Sequence, residues 1–106
     1  MDKKERKRIM TSAIHEYGEE SQIKMMIEEM SELTKAICKF WRTEPGSFNR
    51  KIVVTEIAEE MADVQIVLDQ MKIIFGNTRT IEDMKLDRLR DRVERKEECG
   101  ILSIYY

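Results

Sequence analysis

The sequence has very few residues that break regular structure. It contains one proline and four glycines in 106 residues, which leaves little material for tight turns or long irregular loops. It also has no apolar run near the roughly 20 residues that a membrane helix requires. The basic start is followed by polar residues, so we expect neither a signal peptide nor a membrane anchor. A single domain spanning residues 1–106 is expected, because a second one would have no room for its own core.

Residues that bind soft metals or form disulfides are equally scarce. Cys38 and Cys99 are far apart and have no metal-type spacing, so reduced thiols in a cytoplasmic protein are the simplest expectation. The only histidine, His15, lies outside the acidic clusters described below, which disfavours a di-iron centre built on Glu-x-x-His motifs. The formal net charge of −2 gives no overall field that favours stable nucleic-acid binding or an anionic membrane.

What the sequence does contain predicts an all-α fold. Charged residues make up 38% and hydrophobic residues 42% of the chain, a balance typical of helical proteins. Four helices are predicted, over about 4–17, 20–41, 50–75 and 81–97. Gly18 and Gly76 are expected to end the first and third helices, Ser47 or Asn49 to cap the third, and Thr80 to cap the fourth.

The two long helices carry apolar arcs that are wider than the stripe of a simple surface helix. On the second helix the arc includes Ile27, Met30, Leu33 and Trp41, and the third helix is similar. Such arcs contact more neighbours than one subunit supplies, so we expect a four-helix bundle completed by homo-oligomerisation, as a dimer or a tetramer. Trp41 is assigned to the core or to this interface.

An acidic pair lies within each long helix. Glu29 and Glu32 are three residues apart on the second helix, and Glu60 and Asp63 are three apart on the third. Residues at this spacing share one side of a helix. At about 100° per residue, both pairs fall within or beside the apolar arcs, whereas Glu28 and Glu59 point to solvent.

Two interpretations of these pairs remain open on geometry alone. Glutamate is a strong helix former, and acids at this spacing are common on solvated helix faces. Alternatively, four carboxylates that converge at the edge of an apolar core require a cation. An all-oxygen ligand set favours a hard ion, with Mg²⁺ first and Mn²⁺ second. Magnesium often takes substrate phosphates as further ligands, and basic side chains are present that could contact them, namely Lys39, Lys85, Arg88 and Arg92.

The two motifs resemble those of a known family. Glu-Glu-Met-Ser-Glu-Leu at 28–33 and Glu-Glu-Met-Ala-Asp-Val at 59–64 are similar to the ExxE and ExxD motifs of the MazG-like all-α nucleoside triphosphate pyrophosphohydrolases. The last predicted helix also resembles that of small bacterial and phage-type members, and the likeness covers about residues 12–93.

The resemblance implies a Mg²⁺-dependent enzyme that cleaves the bond between the α- and β-phosphates of an NTP or dNTP. Glu29, Glu32, Glu60 and Asp63 correspond to its metal-binding positions. Glu60 or Glu56 is the expected activator of water, and the four basic side chains are the candidate phosphate contacts. Two alternatives stay open: an enzyme similar to phosphoribosyl-ATP pyrophosphohydrolase, and a catalytically silent helical module for oligomerisation or partner binding.

Overall fold

The computed structural model describes residues 1–98, and within them the fold is entirely helical. Helix α1 spans Lys3–Tyr17, α2 spans Glu19–Trp41, α3 spans Phe48–Phe75 and α4 spans Arg79–Glu98. The predicted all-α class and the order of four helices are therefore confirmed. Cys99 and the apolar C-terminal residues lie outside the described residues.

Glycines end the first and third helices, as predicted. Gly18 has φ 89° and donates its N–H to the Ile14 carbonyl, and Gly76 has φ 113° and donates to the Lys72 carbonyl. These positive φ angles are accessible to glycine without steric cost. Each glycine therefore stops its helix where another residue would be strained.

The start of α3 is fixed by Ser47. Its hydroxyl oxygen accepts a hydrogen bond from the Arg50 N–H at 3.1 Å, which satisfies one of the unpaired amides of the first helical turn. Because Ser47 rather than Asn49 is the cap, the helix begins two residues earlier than predicted.

The predicted cap of α4 is wrong. Thr80 lies inside the helix, which begins at Arg79. The local polar contacts come from the two preceding residues instead. The Asn77 side-chain oxygen accepts from the Arg79 N–H at 2.8 Å, and the Thr78 hydroxyl donates to the Glu82 carboxylate at 2.6 Å.

Helices α2 and α3 pack along each other as a hairpin, and α1 contacts both. The buried apolar residues among those described are only Ala36, Val53 and Val67, accompanied by buried Gln22 and Gln70. Helix α1 contributes no fully buried residue. The core of this part of the molecule is therefore a thin layer between α2 and α3.

Much of the predicted apolar arc is exposed. On α2, Met26, Leu33 and Phe40 are half-buried, whereas Ile27 and Trp41 are 64% and 77% exposed. Trp41 therefore does not belong to the core of this chain, although its ring meets that of Phe40 edge-on at 6.2 Å between centroids. Its predicted place in an interface stays a prediction.

The chain divides into two compact units, and the second begins at Asn77. The first unit contains α1, α2 and α3. The second contains α4, whose apolar residues Ile81, Met84, Leu86 and Leu89 are all exposed. Within residues 1–98 no helix is long and apolar enough to cross a bilayer.

Candidate metal centre

Three of the four predicted metal ligands meet between α2 and α3. Glu29 comes from α2, and Glu60 and Asp63 come from α3. One carboxylate oxygen from each lies within 4.8 Å of the other two. The structure thus brings together acids that are about thirty residues apart in the chain, and it does so at the helix pair that carries both motifs.

Each glutamate lies in a column of residues that are spaced seven apart along its helix and that otherwise belong to the core. Positions seven apart lie nearly on the same line along a helix, because two turns take 7.2 residues. On α2 the column is Gln22, Glu29 and Ala36, whose outer members are buried. On α3 it is Val53, Glu60 and Val67, and again both outer members are buried.

Each glutamate therefore occupies a position that the neighbouring turns use for the core. Glu29 and Glu60 are half-buried there, whereas Asp63 is exposed. The same packing that buries Ala36 and Val53 forces the two carboxylates toward each other. Helix packing thus accounts for the approach of Glu29 and Glu60, and the exposed Asp63 completes the cluster from the next turn of α3.

The electrostatics of the cluster are unfavourable for three ionised acids. Burial raises the pKa of Glu29, and the charges of Asp63 and Glu60 raise it further. Burial also raises the pKa of Glu60, followed by the charges of Asp63 and Glu32. Among the side chains that the structure describes, none of the ion pairs involves Glu29, Glu60 or Asp63. Both glutamates thus retain protons more strongly than an isolated carboxyl group does, unless a cation is bound.

The donor set fits a hard divalent cation. All three ligands are carboxylates, which Mg²⁺ and Mn²⁺ prefer. Magnesium binds oxygen at roughly 2.0–2.1 Å, so ligands on opposite sides of the ion lie about 4.2 Å apart. The observed separations of up to 4.8 Å can therefore close onto the ion by small side-chain movements. Three protein ligands would leave positions for water and for substrate phosphate.

The fourth predicted ligand, Glu32, lies beside this group. It is exposed, and its charge contributes to the raised pKa values of Glu29 and Glu60. Its oxygens are not among those that lie within 4.8 Å of one another. Glu28 and Glu59 are exposed, as predicted. The site is thus a close trio of carboxylates with Glu32 at its edge.

Glu56, predicted as a possible activator of water, is held by a cation. The Lys39 ammonium lies 3.2 Å from its carboxylate, across the α2–α3 pair. This contact joins Lys39, a candidate phosphate contact, to Glu56, a candidate catalytic base. Sequence reasoning did not predict the pair, because finding it requires the register of the two helices, which neither motif specifies.

The remaining basic candidates lie on α4, in the second unit. Lys85, Arg88 and Arg92 are all exposed. Arg88 and Arg92 line a shallow groove together with Asp91 and Arg95. Their assignment as phosphate contacts stays a prediction.

Comparisons with known proteins assign no family to this chain. The chain matches no family model, no curated protein and no solved structure. The predicted relation to the MazG-like enzymes therefore depends on the sequence motifs alone and stays a prediction.

Proposed function

We propose that this protein is a Mg²⁺-dependent nucleoside triphosphate pyrophosphohydrolase of the MazG-like type. The observation that carries the proposal is the convergence of Glu29, Glu60 and Asp63 within 4.8 Å between α2 and α3. These acids come from two different helices, and Glu29 and Glu60 are half-buried at positions whose neighbours seven residues away are buried on both helices. Their arrangement favours a metal-binding role over the solvated alternative.

The proposed reaction is attack of water on the α-phosphorus of an NTP or dNTP. A bond forms between the water oxygen and the α-phosphorus, and the bond from the α-phosphorus to the bridging oxygen breaks. The products are a nucleoside monophosphate and pyrophosphate. Bound Mg²⁺ (or Mn²⁺) would neutralise phosphate charge and lower the pKa of a bound water.

The protein side chains divide into three roles in this proposal. Glu29, Glu32, Glu60 and Asp63 hold the metal. Glu60, or Glu56 after release from Lys39, accepts the proton of the attacking water. Lys39, Lys85, Arg88 and Arg92 are the candidate contacts to phosphate. The MazG-like bundle completed by a second copy and a cytoplasmic location belong to the same proposal.

A product assay with labelled water tests the chemistry. The protein is incubated with dNTPs, NTPs and phosphoribosyl-ATP in H₂¹⁸O, with and without Mg²⁺, and the products are identified by ³¹P NMR and mass spectrometry. We expect pyrophosphate and a monophosphate that carries the ¹⁸O label. Label in pyrophosphate would place the attack at the β-phosphorus, and release of orthophosphate would refute the proposed cleavage. Turnover of phosphoribosyl-ATP alone would favour that related activity.

Matched variants of adjacent residues separate the site from its surroundings. Glu60→Gln removes a charge from the trio and is expected to lower kcat/KM by a factor of about 10²–10⁴. Glu59→Gln makes the same change at an exposed neighbour and is expected to retain activity within about threefold of the wild type. Circular dichroism should show both variants folded. Absence of turnover on every substrate, together with no Mg²⁺ or Mn²⁺ binding by calorimetry, would favour the silent helical module.

A further inference from the structure

Helix α1 packs on the α2–α3 hairpin through side chains that all keep contact with water. Met10, Ala13 and Ile14 lie on one side of the helix and are half-buried, and no residue of α1 is buried. Arg6, on the same side, pairs with Asp69 of α3, but the guanidinium and the carboxylate are 3.9 Å apart and both remain partly exposed. Ion pairs of this kind contribute little to stability. The docking of α1 is therefore weak compared with the packing of α2 on α3.

The part of α3 that α1 contacts contains an unpaired polar group. Gln70 is only 4% exposed, and its Oε1 has no hydrogen-bond partner within residues 1–98. It follows Asp69, the residue that Arg6 of α1 contacts. A buried amide oxygen without a donor is unfavourable, because it has lost its water and gained no partner. Release of α1 would return this oxygen to water, so the group favours opening of the contact.

A single residue, Gly18, joins α1 to α2. Helix α1 ends at Tyr17 and α2 begins at Glu19. A Cβ at Gly18 would have nothing within 4 Å, and its φ of 89° is one that glycine adopts without steric cost. No side chain caps the first turn of α2. Because neither a neighbouring atom nor a side-chain cap holds this residue, α1 can swing as a unit about Gly18.

A cavity of about 600 Å³ lies at this hinge and beside the candidate metal centre. Its lining includes Tyr17 and Gly18 at the end of α1 and Met25 and Glu28 of α2. Glu28 directly precedes the metal-centre residue Glu29, and Met25 is one helical turn before it. Since lining residues stand on both sides of the hinge, the cavity narrows or widens when α1 moves.

The unpaired amide of Gln70 lies on the same side of the hairpin as this cavity. Helices α2 and α3 run in opposite directions because a six-residue segment, 42–47, joins them, and the Lys39–Glu56 contact shows which residues face each other. Met25 is fourteen residues before Lys39, and Gln70 is fourteen after Glu56, which is about four turns in each helix. Met25 and Gln70 are therefore across from each other, so the unpaired amide is next to a residue that lines the cavity.

We propose that α1 is a strap, hinged at Gly18, that opens and closes over the cavity beside the candidate metal centre. In the closed state Met10, Ala13 and Ile14 pack on the hairpin, and Gln70 is kept from water. In the open state α1 is released as a unit and the Gln70 oxygen is hydrated. A ligand that contacts both α1 and α2 from within the cavity favours the closed state, because only that state supplies both sets of contacts.

Native-state hydrogen exchange of the unmodified protein measures the opening. An isolated helix of 15 residues is marginal in water, so release of α1 exposes its amides to exchange. We expect the amides of α1 to exchange about tenfold or more faster than those of α2 and α3 around Gln22 and Val67, with one common opening free energy along α1. Opening free energies that fall steadily from Tyr17 toward Lys3 would indicate fraying of the chain end and would overturn the proposal. Exchange of α1 only through global unfolding would overturn it as well.

A matched pair of variants on α3 tests the role of the unpaired amide. Gln70→Met removes the unpaired oxygen and keeps the length of the side chain, so it should slow the exchange of α1 by about fivefold or more. Gln65→Met makes the same change at an exposed position and should leave the exchange of α1 within about twofold of the wild type. Equal effects of the two variants, or no slowing in Gln70→Met, would contradict this role. If Gln70→Met does not fold, the wild-type rates decide the proposal.

Closure of the strap on a ligand rests on the proposed function and has its own probe. A dNTP with a methylene bridge between its α- and β-phosphates, which resists the proposed cleavage, is added with Mg²⁺, and its binding is measured by calorimetry. At saturation the exchange of α1 should slow by about tenfold or more. Binding without slowing would overturn closure over the cavity. Failure of the analogue to bind would count against the proposed function, whereas the rates without ligand would still decide whether α1 is a strap.

Discussion

Titration with Mg²⁺ should raise the melting temperature by an amount that the structure makes calculable. If Glu29, Glu60 and Asp63 hold an ion in the folded state only, each tenfold increase in free Mg²⁺ above its Kd adds about 1.4 kcal/mol to the free energy of unfolding. For a chain of 106 residues, about 1 kcal/mol corresponds to a shift of roughly 4–8 °C. The expected slope is therefore about 6–11 °C per decade of Mg²⁺, and it does not depend on the value of Kd.

The assay is thermal unfolding followed by circular dichroism at constant ionic strength. Constant ionic strength is essential because salt alone screens the repulsion within the acidic trio. Glu29→Gln leaves two carboxylates to hold the ion and so raises Kd. Over Mg²⁺ concentrations below this raised Kd, the variant should lose most of the slope. Glu28→Gln, the same change at the exposed neighbour, should preserve it. A wild-type slope no larger than that of Glu29→Gln would refute the metal centre, whatever the protein does catalytically.

Two further outcomes follow from the site and from the core. The ordinary pKa of a glutamate side chain is about 4.5, and the folded protein raises the pKa of Glu29 and of Glu60 above it. Without divalent ions, the free energy of unfolding should therefore fall as the pH rises from about 4.5 through these raised pKa values. The reason is that the folded state binds more protons than the unfolded state in that window. A Glu29→Gln/Glu60→Gln double variant should show a flatter profile in pH-dependent urea unfolding, and an equal fall would contradict this assignment. Val67→Ala, at a position only 6% exposed, should cost roughly 1.5–3 kcal/mol in the same assay. Ile66→Ala, one residue away and half exposed, should cost less than about 1 kcal/mol, and equal costs would argue against the buried column on α3.

The helices were predictable because their ends carry strong local signals. Gly18, Gly76 and Ser47 act within a few residues of their own positions, so the sequence contains all the information needed to place them. The start of α4 was missed because Thr80 satisfies the same pattern as a cap, while Asn77 and Thr78 make the actual contacts. A local sequence pattern does not show which of several neighbouring polar residues caps a helix.

The acidic group was predictable in part, as a quartet that included Glu32, and for a different reason. Periodicity placed Glu60 within the apolar arc of its helix and Glu29 and Glu32 at the border of theirs. It therefore did not distinguish half-buried Glu29 from exposed Glu32. The Lys39–Glu56 pair could not be found that way, because it depends on how far α2 is shifted along α3. The sequence also did not predict how much of each apolar side chain is buried. Phase predicted an apolar position for Trp41, but only the packed structure shows that no element of residues 1–98 covers most of its surface.

The short connection between the two motif helices has a kinetic consequence. Helices α2 and α3 are neighbours in the chain, joined by six residues, so closing their hairpin is a local and fast event. The contacts that bury Ala36 and Val53 form in the same step that brings Glu29 and Glu60 together. Repulsion between these carboxylates thus opposes the closing of the hairpin itself. A proton or a divalent ion that relieves the repulsion would accelerate folding as well as stabilise the product.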